Sequence, residues 1–162
     1  MIGFSRDRAQ RAAAENGFDG WRATDVTRPE TVQEAKDIPR VDHLAMLAGT
    51  FVASKVLEAH VGHLRTAFGE RIWAMVHAVR ALGDLLAPDG SITLVSGWLA
   101  DWPNASGTAV LAAAAGMEAL ARGLALELAP RRVHAVSPGA IDTLLWARRS
   151  ARAGTPRWRP SR

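Results

Sequence analysis

A doubly wound α/β fold on a parallel sheet is what this sequence predicts, and three observations between Gly90 and Thr143 predict it. The β-branched run Ile92 to Val95 breaks at Ser96-Gly97. A second apolar run, Val133 to Val136, breaks at Ser137-Pro138-Gly139, so each reads as a short buried strand with a turn at its carboxyl end. Between them Leu111, Met117, Leu120, Leu124 and Leu128 recur at spacings of three, four or six, interleaved with Glu118, Arg122 and Glu127, the pattern of a helix with one buried stripe. Strand, helix and strand form one β-α-β unit, which requires parallel strands. In such sheets ligands sit beyond the carboxyl ends of the strands, here Ser96-Gly97 and Ser137-Pro138-Gly139.

The preceding chain reads in the same alternation. Met1 to Phe4 is a short apolar run, followed by a helix-like segment, residues 8 to 17, that stops at Asn16-Gly17. Trp21 to Val26 is the next strand, and a short helix runs from Pro29 to Lys36, stopped before Pro39. Val41 to Leu47 is a further strand leading into Ala48-Gly49. Residues 50 to 86 carry a long helical pattern through Phe68, Ile72, Val76, Val79 and Leu86, with a stop expected at Pro88-Asp89-Gly90.

A chain of 162 residues that is 48% hydrophobic can bury one core, so a single domain is expected over residues 1–146. No run of about 18 apolar residues is free of charge, and the first ten residues lack the basic and apolar regions of a signal peptide; neither a membrane partner nor export is expected. Cysteine is absent, which excludes disulfides and thiolate metal sites and makes the cytoplasm the economical location. The net charge of +4 comes from the end of the chain: six of the 20 Lys and Arg fall in residues 147–162, which hold no acid, leaving 14 basic against 16 acidic residues before it. That distribution favours a solvated, disordered tail over a nucleic-acid-binding body.

The run ALARGLALELAP followed by RVHAVSPGAIDT resembles the cofactor-binding second half of short-chain dehydrogenase/reductases, and weaker stretches extend the resemblance over roughly residues 1 to 146. The resemblance implies a partial Rossmann-like sheet in which the chain starts at the family's second strand, without the first strand and its Gly-rich phosphate loop. Because the family's strand order is 3-2-1-4-5-6-7, the missing strand belongs in the middle of the sheet, which leaves two unpaired edges unless those strands meet or another chain fills the gap. It also implies an NADP or NAD cofactor and a small carbonyl or alcohol substrate. Arg6 matches the basic residue that pairs with the 2′-phosphate of NADP, the alternative being a solvated Arg at a helix start. Asp25 matches an adenine contact, the alternative being a helix-capping or turn carboxylate ahead of Thr27-Arg28-Pro29-Glu30. Ala48 and Gly49 match the family's Asn-Asn-Ala-Gly turn, with Met46-Leu47 in place of the two Asn. Pro138 and Gly139, with Ile141 and Thr143, match the segment lying against the nicotinamide. The helices around 66–86 and 106–129 match a four-helix interface between subunits, so a homodimer or a full-length family subunit is the implied partner; close packing within one chain is the alternative use of the small residues Ala112 to Gly116.

The family's chemistry uses a tyrosine acid, a lysine that lowers its pKa, a serine on the substrate oxygen and a structural asparagine. Counting through the resemblance puts Ala114 at the lysine position, Val110 at the tyrosine position, Gly97 at the serine position and Arg71 at approximately the asparagine position. None of the four residue types is present there, and the chain contains no tyrosine. Ser96 remains as a side chain able to bind a carbonyl oxygen. The expectation is therefore a family member impaired in catalysis as this chain, or a cofactor- or subunit-binding module without chemistry, or a truncated reading frame. His60 and His63 are three residues apart, but no third ligand stands at a metal-like spacing, so no metal is expected.

Overall fold

The computed structural model describes residues 1–6, 17–34, 37–49, 55–103, 105 and 107–139. Two parallel strands, β1 (Ile2–Ser5) and β2 (Gly20–Ala23), pair in one sheet, and three more, β3 (Val41–Met46), β4 (Leu86–Val95) and β5 (Arg132–Val136), pair in a second, in the order β3-β4-β5. The helices are α1 (Pro29–Glu34), α2 (Val61–Phe68), α3 (Ala74–Leu82) and α4 (Thr108–Glu127). A π-helical segment, Gly69–Trp73, joins α2 to α3. The segments 8–16 and 140–162, which include Ile141, Thr143 and the Arg-rich tail, lie outside the described residues.

The expected β-α-β unit is β4-α4-β5, with Ile92 opposite Val133 and Val95 opposite Val136. Alternation along β4 turns Ile92 and Leu94, 1% and 0% exposed, into the core. There they meet Met117, Ala121 and Leu124 of α4 and Ala74, Met75 and Ala78 of α3. Each fully buried Ile, Leu or Met contributes about 1.5–3 kcal/mol, so this layer holds the sheet and both helices together. By length and a mean hydropathy of 1.5, α4 is apolar enough to cross a membrane, but its stripe is committed to this core and it carries Glu118 and Arg122.

The central helix is shorter than its sequence pattern. Residues 55–60 form turns, α2 begins at Val61 with the His60 ring accepting from the Gly62 amide, and α3 ends at Leu82. Leu86, the last apolar position of that pattern, already pairs with Val41 in the sheet. The Pro88-Asp89-Gly90 turn therefore lies inside β4 as an irregularity, between the Val41–Leu86 and His43–Ser91 pairs. A Cβ on Gly90 would fall 2.9 Å from the carbonyl oxygens of Ala87 and Asp42, so the backbone approach there needs glycine. The Arg131 side chain donates to the Leu86 and Ala87 carbonyls, both at 3.2 Å, and holds this excursion. The second correction concerns β5: the Val133 to Val136 run reads as a buried strand, yet β5 pairs only with β4 among the described residues and Val136 is 49% exposed.

The sheet is split where the resemblance leaves a gap. Among the described residues β1 pairs only with β2 and β3 only with β4, and Asp42, His43 and Ala45 of β3 are exposed. The halves are nonetheless tied: Phe4 packs against the main core, and Arg6, just past β1, donates to Glu70 of the π-helical segment.

Candidate functional site

The carboxyl ends of β4 and β5 are joined beyond the strands themselves. The Ser96 amide donates to the Val136 carbonyl at 2.8 Å, and the Trp98 amide donates to the Pro138 carbonyl at 3.1 Å. Ser96, Gly97, Pro138 and Gly139 thus form one continuous rim. The Ser96 hydroxyl donates to Glu118 Oε1 at 2.8 Å and lies 3.3 Å from the Ala114 carbonyl oxygen. Gly97 is extended, at φ 177°, and nothing lies within 4 Å of where its Cβ would be.

At the end of β3, Met46 enters the core while Leu47 is 72% exposed. The chain then passes through Ala48 to Gly49, at φ +151°, a conformation that side-chain-bearing residues rarely adopt. Arg71 lies across this glycine, its Cζ 3.0 Å from the place of a Gly49 Cβ. It is delivered there by the π-helical segment, whose extra residue per turn re-aims side chains that a regular helix would point elsewhere. Burial lowers the pKa of the Arg71 guanidinium, and the adjacent Glu70 carboxylate opposes that shift.

Arg6 and Asp25 stand at the ends of β1 and β2, on the other half of the sheet. Arg6 Nη2 donates to Glu70 Oε1 at 3.1 Å, so its charge is engaged across the gap and not simply solvated. Asp25 Oδ1 accepts from the Thr27 amide at 3.0 Å and the Thr27 hydroxyl at 2.7 Å, which is the turn-carboxylate alternative, immediately ahead of α1. Burial pushes the Asp25 carboxyl up, but the Thr27 hydrogen bonds and the charges of Arg6 and Arg28 outweigh it, leaving the group below the usual carboxylate range. Next to it Thr24 is 3% exposed, and its hydroxyl finds no partner among the described residues. A buried hydroxyl of this kind costs about 1–3 kcal/mol unless something bonds it.

Val110 and Ala114 are 3% and 2% exposed. Val110 packs with Ala67, Leu99 and Ala109 in a second small cluster, so the positions that the resemblance matches to the tyrosine and lysine hold buried apolar side chains. Of the small residues in α4, Ala113 and Ala114 are buried within the chain and Gly116 receives Ile72 of the π-helical segment. Two carboxylates escaped the sequence reasoning. Glu118 is four residues beyond Ala114, and that i, i+4 step was the available signal; Glu70 had none, because only the fold brings Arg6 to it. His60 caps α2, and no cluster of three metal-ligating side chains occurs among the described residues.

Comparison with known proteins follows the same geometry. The family described as Enoyl-(Acyl carrier protein) reductase matches residues 3–159. A curated relative, the cyclic-di-GMP-binding biofilm dispersal mediator protein of Escherichia coli (strain K12), is 28% identical over 142 residues, covering 86% of this chain and 60% of its own. The chain thus spans less than two thirds of that relative's length. Among solved structures, a short chain dehydrogenase/reductase family protein superposes with a TM-score of 0.86 at 24% identity, over 94% of this chain and 68% of its own. The NADPH-bound short chain oxidoreductase of Pseudomonas aeruginosa PAO1, described as containing an atypical catalytic center, superposes at 0.83 with 25% identity, over 94% and 67%.

Proposed function

The chain belongs to the short-chain dehydrogenase/reductase family, and on that premise we propose that it is the cofactor- and carbonyl-binding portion of an NADP- or NAD-dependent oxidoreductase. The observation that carries this reading is the joined rim of β4 and β5, where Ser96 and the Pro138-Gly139 turn are held side by side. The residues present fit the two ends of a dinucleotide: Pro138 and Gly139 with Ala48 and Gly49 for the nicotinamide and its ribose, Asp25 and the orphaned Thr24 hydroxyl for adenine. Arg6 offers a guanidinium for a 2′-phosphate and favours NADP over NAD. Bound there, the cofactor supplies a hydride to a carbonyl carbon. Ser96 orients the carbonyl oxygen, and the apolar Val110 and Ala114 positions supply no proton. The cysteine-free sequence accords with a cytoplasmic setting.

The partner we propose is a further family subunit. The edges of β1 and β3, which carry no further strand among the described residues, suit one more parallel strand, and the exposed Val61, Phe68 and Trp73 beside α2 suit a helical interface. Purified chain titrated with NADPH and followed by fluorescence tests the reading, with turnover of a ketone panel as the second arm. Saturable binding is expected. No binding would sink the cofactor reading, and binding without turnover would leave a non-catalytic module.

A further inference from the structure

We propose that Glu118 holds the proton for carbonyl reduction at this site and passes it through Ser96, an inference that rests on the oxidoreductase reading. In α4, Val110, Ala114 and Glu118 stand at i, i+4 and i+8, so Glu118 lies on the helix face of the vacated tyrosine and lysine positions, one turn further along. Its Oε1 is 2.8 Å from Ser96 Oγ. A serine hydroxyl has one proton and two lone pairs. When Glu118 is ionised, that proton is committed to the carboxylate. A ketone oxygen, which only accepts, then meets nothing but lone pairs on Ser96.

Protonating Glu118 reverses the chain of donors. The carboxyl O–H donates to Ser96 Oγ, and the Ser96 proton turns outward to a carbonyl oxygen. As hydride from the bound nicotinamide cofactor forms the new C–H bond, the carbonyl π pair moves to oxygen, which takes the Ser96 proton, and Ser96 takes the proton of Glu118. Ketone, reduced cofactor and one proton become alcohol and oxidised cofactor, and Glu118 is left as a carboxylate. Solvent restores its proton through an open groove of about 330 Å³ that Glu118 lines with Asp101, Arg122 and Ser137. Among the described residues, the charged side chains that line this groove with Glu118 are Asp101 from the turn after β4 and Arg122 from the next turn of α4, and β5 and its extension contribute Val133, Ala135 and Ser137.

The test uses the full chain and its E118Q and S96A variants. NADPH binding is read by fluorescence, and ketone reduction from pH 5 to 9 by NADPH absorbance. Glutamine at 118 still donates to Ser96 but has no proton to transfer. E118Q should therefore keep NADPH affinity and ketone KM, lose about 100-fold or more in kcat, and lack the fall in rate with rising pH that the relay requires of the wild type. S96A should raise KM and lower kcat together. E118Q with wild-type kcat and pH profile overturns the relay, as does a wild type that binds NADPH and reduces no ketone. A wild type that fails to bind NADPH overturns the cofactor reading itself. Should E118Q not fold, a carbon-13 titration of the Glu118 carboxyl in S96A decides: a curve identical to wild type overturns the coupling, a displaced one supports it.

Discussion

Arg6 donates to Glu70 across the split in the sheet, tying the end of β1 to the helix layer that packs on β4. Glu70 is the buried partner, with 10% of its side chain exposed against 60% for Arg6. A 2′-phosphate at this place would compete with Glu70 for Arg6. Glu70→Gln should therefore tighten NADPH binding while leaving NADH unchanged. Arg6→Ala should weaken NADPH alone by about tenfold, the worth of one charge-assisted hydrogen bond of about 1.5 kcal/mol. Parallel fluorescence titrations with the two cofactors check both, and equal effects on NADPH and NADH would remove Arg6 from phosphate recognition.

Ile72 Cδ1 lies 3.0 Å from where a Gly116 Cβ would sit. A methyl there gains up to about 1 kcal/mol of helix propensity but presses on the tip of a side chain that can turn, so Gly116→Ala should stay within about 1 kcal/mol of wild type. Gly116→Leu cannot be absorbed that way and should cost about 1–3 kcal/mol. Urea denaturation of both variants measures the pair, and a leucine variant as stable as wild type would contradict the packing described.

Rebuilding the family's catalytic residues should expose an unequal tolerance. Gly97→Ser meets open space and should change stability by less than about 0.5 kcal/mol. Val110→Tyr pushes a large ring into the Ala67, Leu99 and Ala109 cluster and should cost about 1–3 kcal/mol. Thermal unfolding of the two single variants orders them, and a stabilised V110Y would show that cluster to be loosely packed.

Asp25 makes the acid side of stability steeper. Its folded pKa lies below its ordinary value of 3.8, so the folded state holds the carboxylate better than the unfolded chain does. The resulting stabilisation is complete above that ordinary value and is lost as the pH falls through it towards the folded value. Asp25→Asn and Thr27→Ala should both flatten the fall in stability between neutral and acid pH, as read by urea denaturation across a pH series. Unchanged slopes would place the acid sensitivity elsewhere.

The periodicity of residues 90 to 143 was enough for β4, α4 and β5, because apolar spacing encodes which face is buried whatever lies opposite. It failed where tertiary pairing competes with local pattern. Leu86 continues a helical stripe but is drawn into the sheet by Val41, and Val133 to Val136 has the composition of a buried strand without a second neighbour among the described residues. The candidate site divides in the same way. Ser96, Gly49 and Pro138 could be placed by counting along elements, whereas the Arg71 guanidinium over Gly49 depends on a π-helical turn that no spacing rule announces.

By itself, then, the sequence determined the family and the alternation of strands and helices, since both are linear properties of the chain. Only the tertiary structure decided which polar side chains meet. The pairing of Ser96 with Glu118 spans 22 residues and that of Arg6 with Glu70 spans 64. Hydrogen bonds between side chains are set by where their elements pack, and the packing follows from the buried faces of all the elements together.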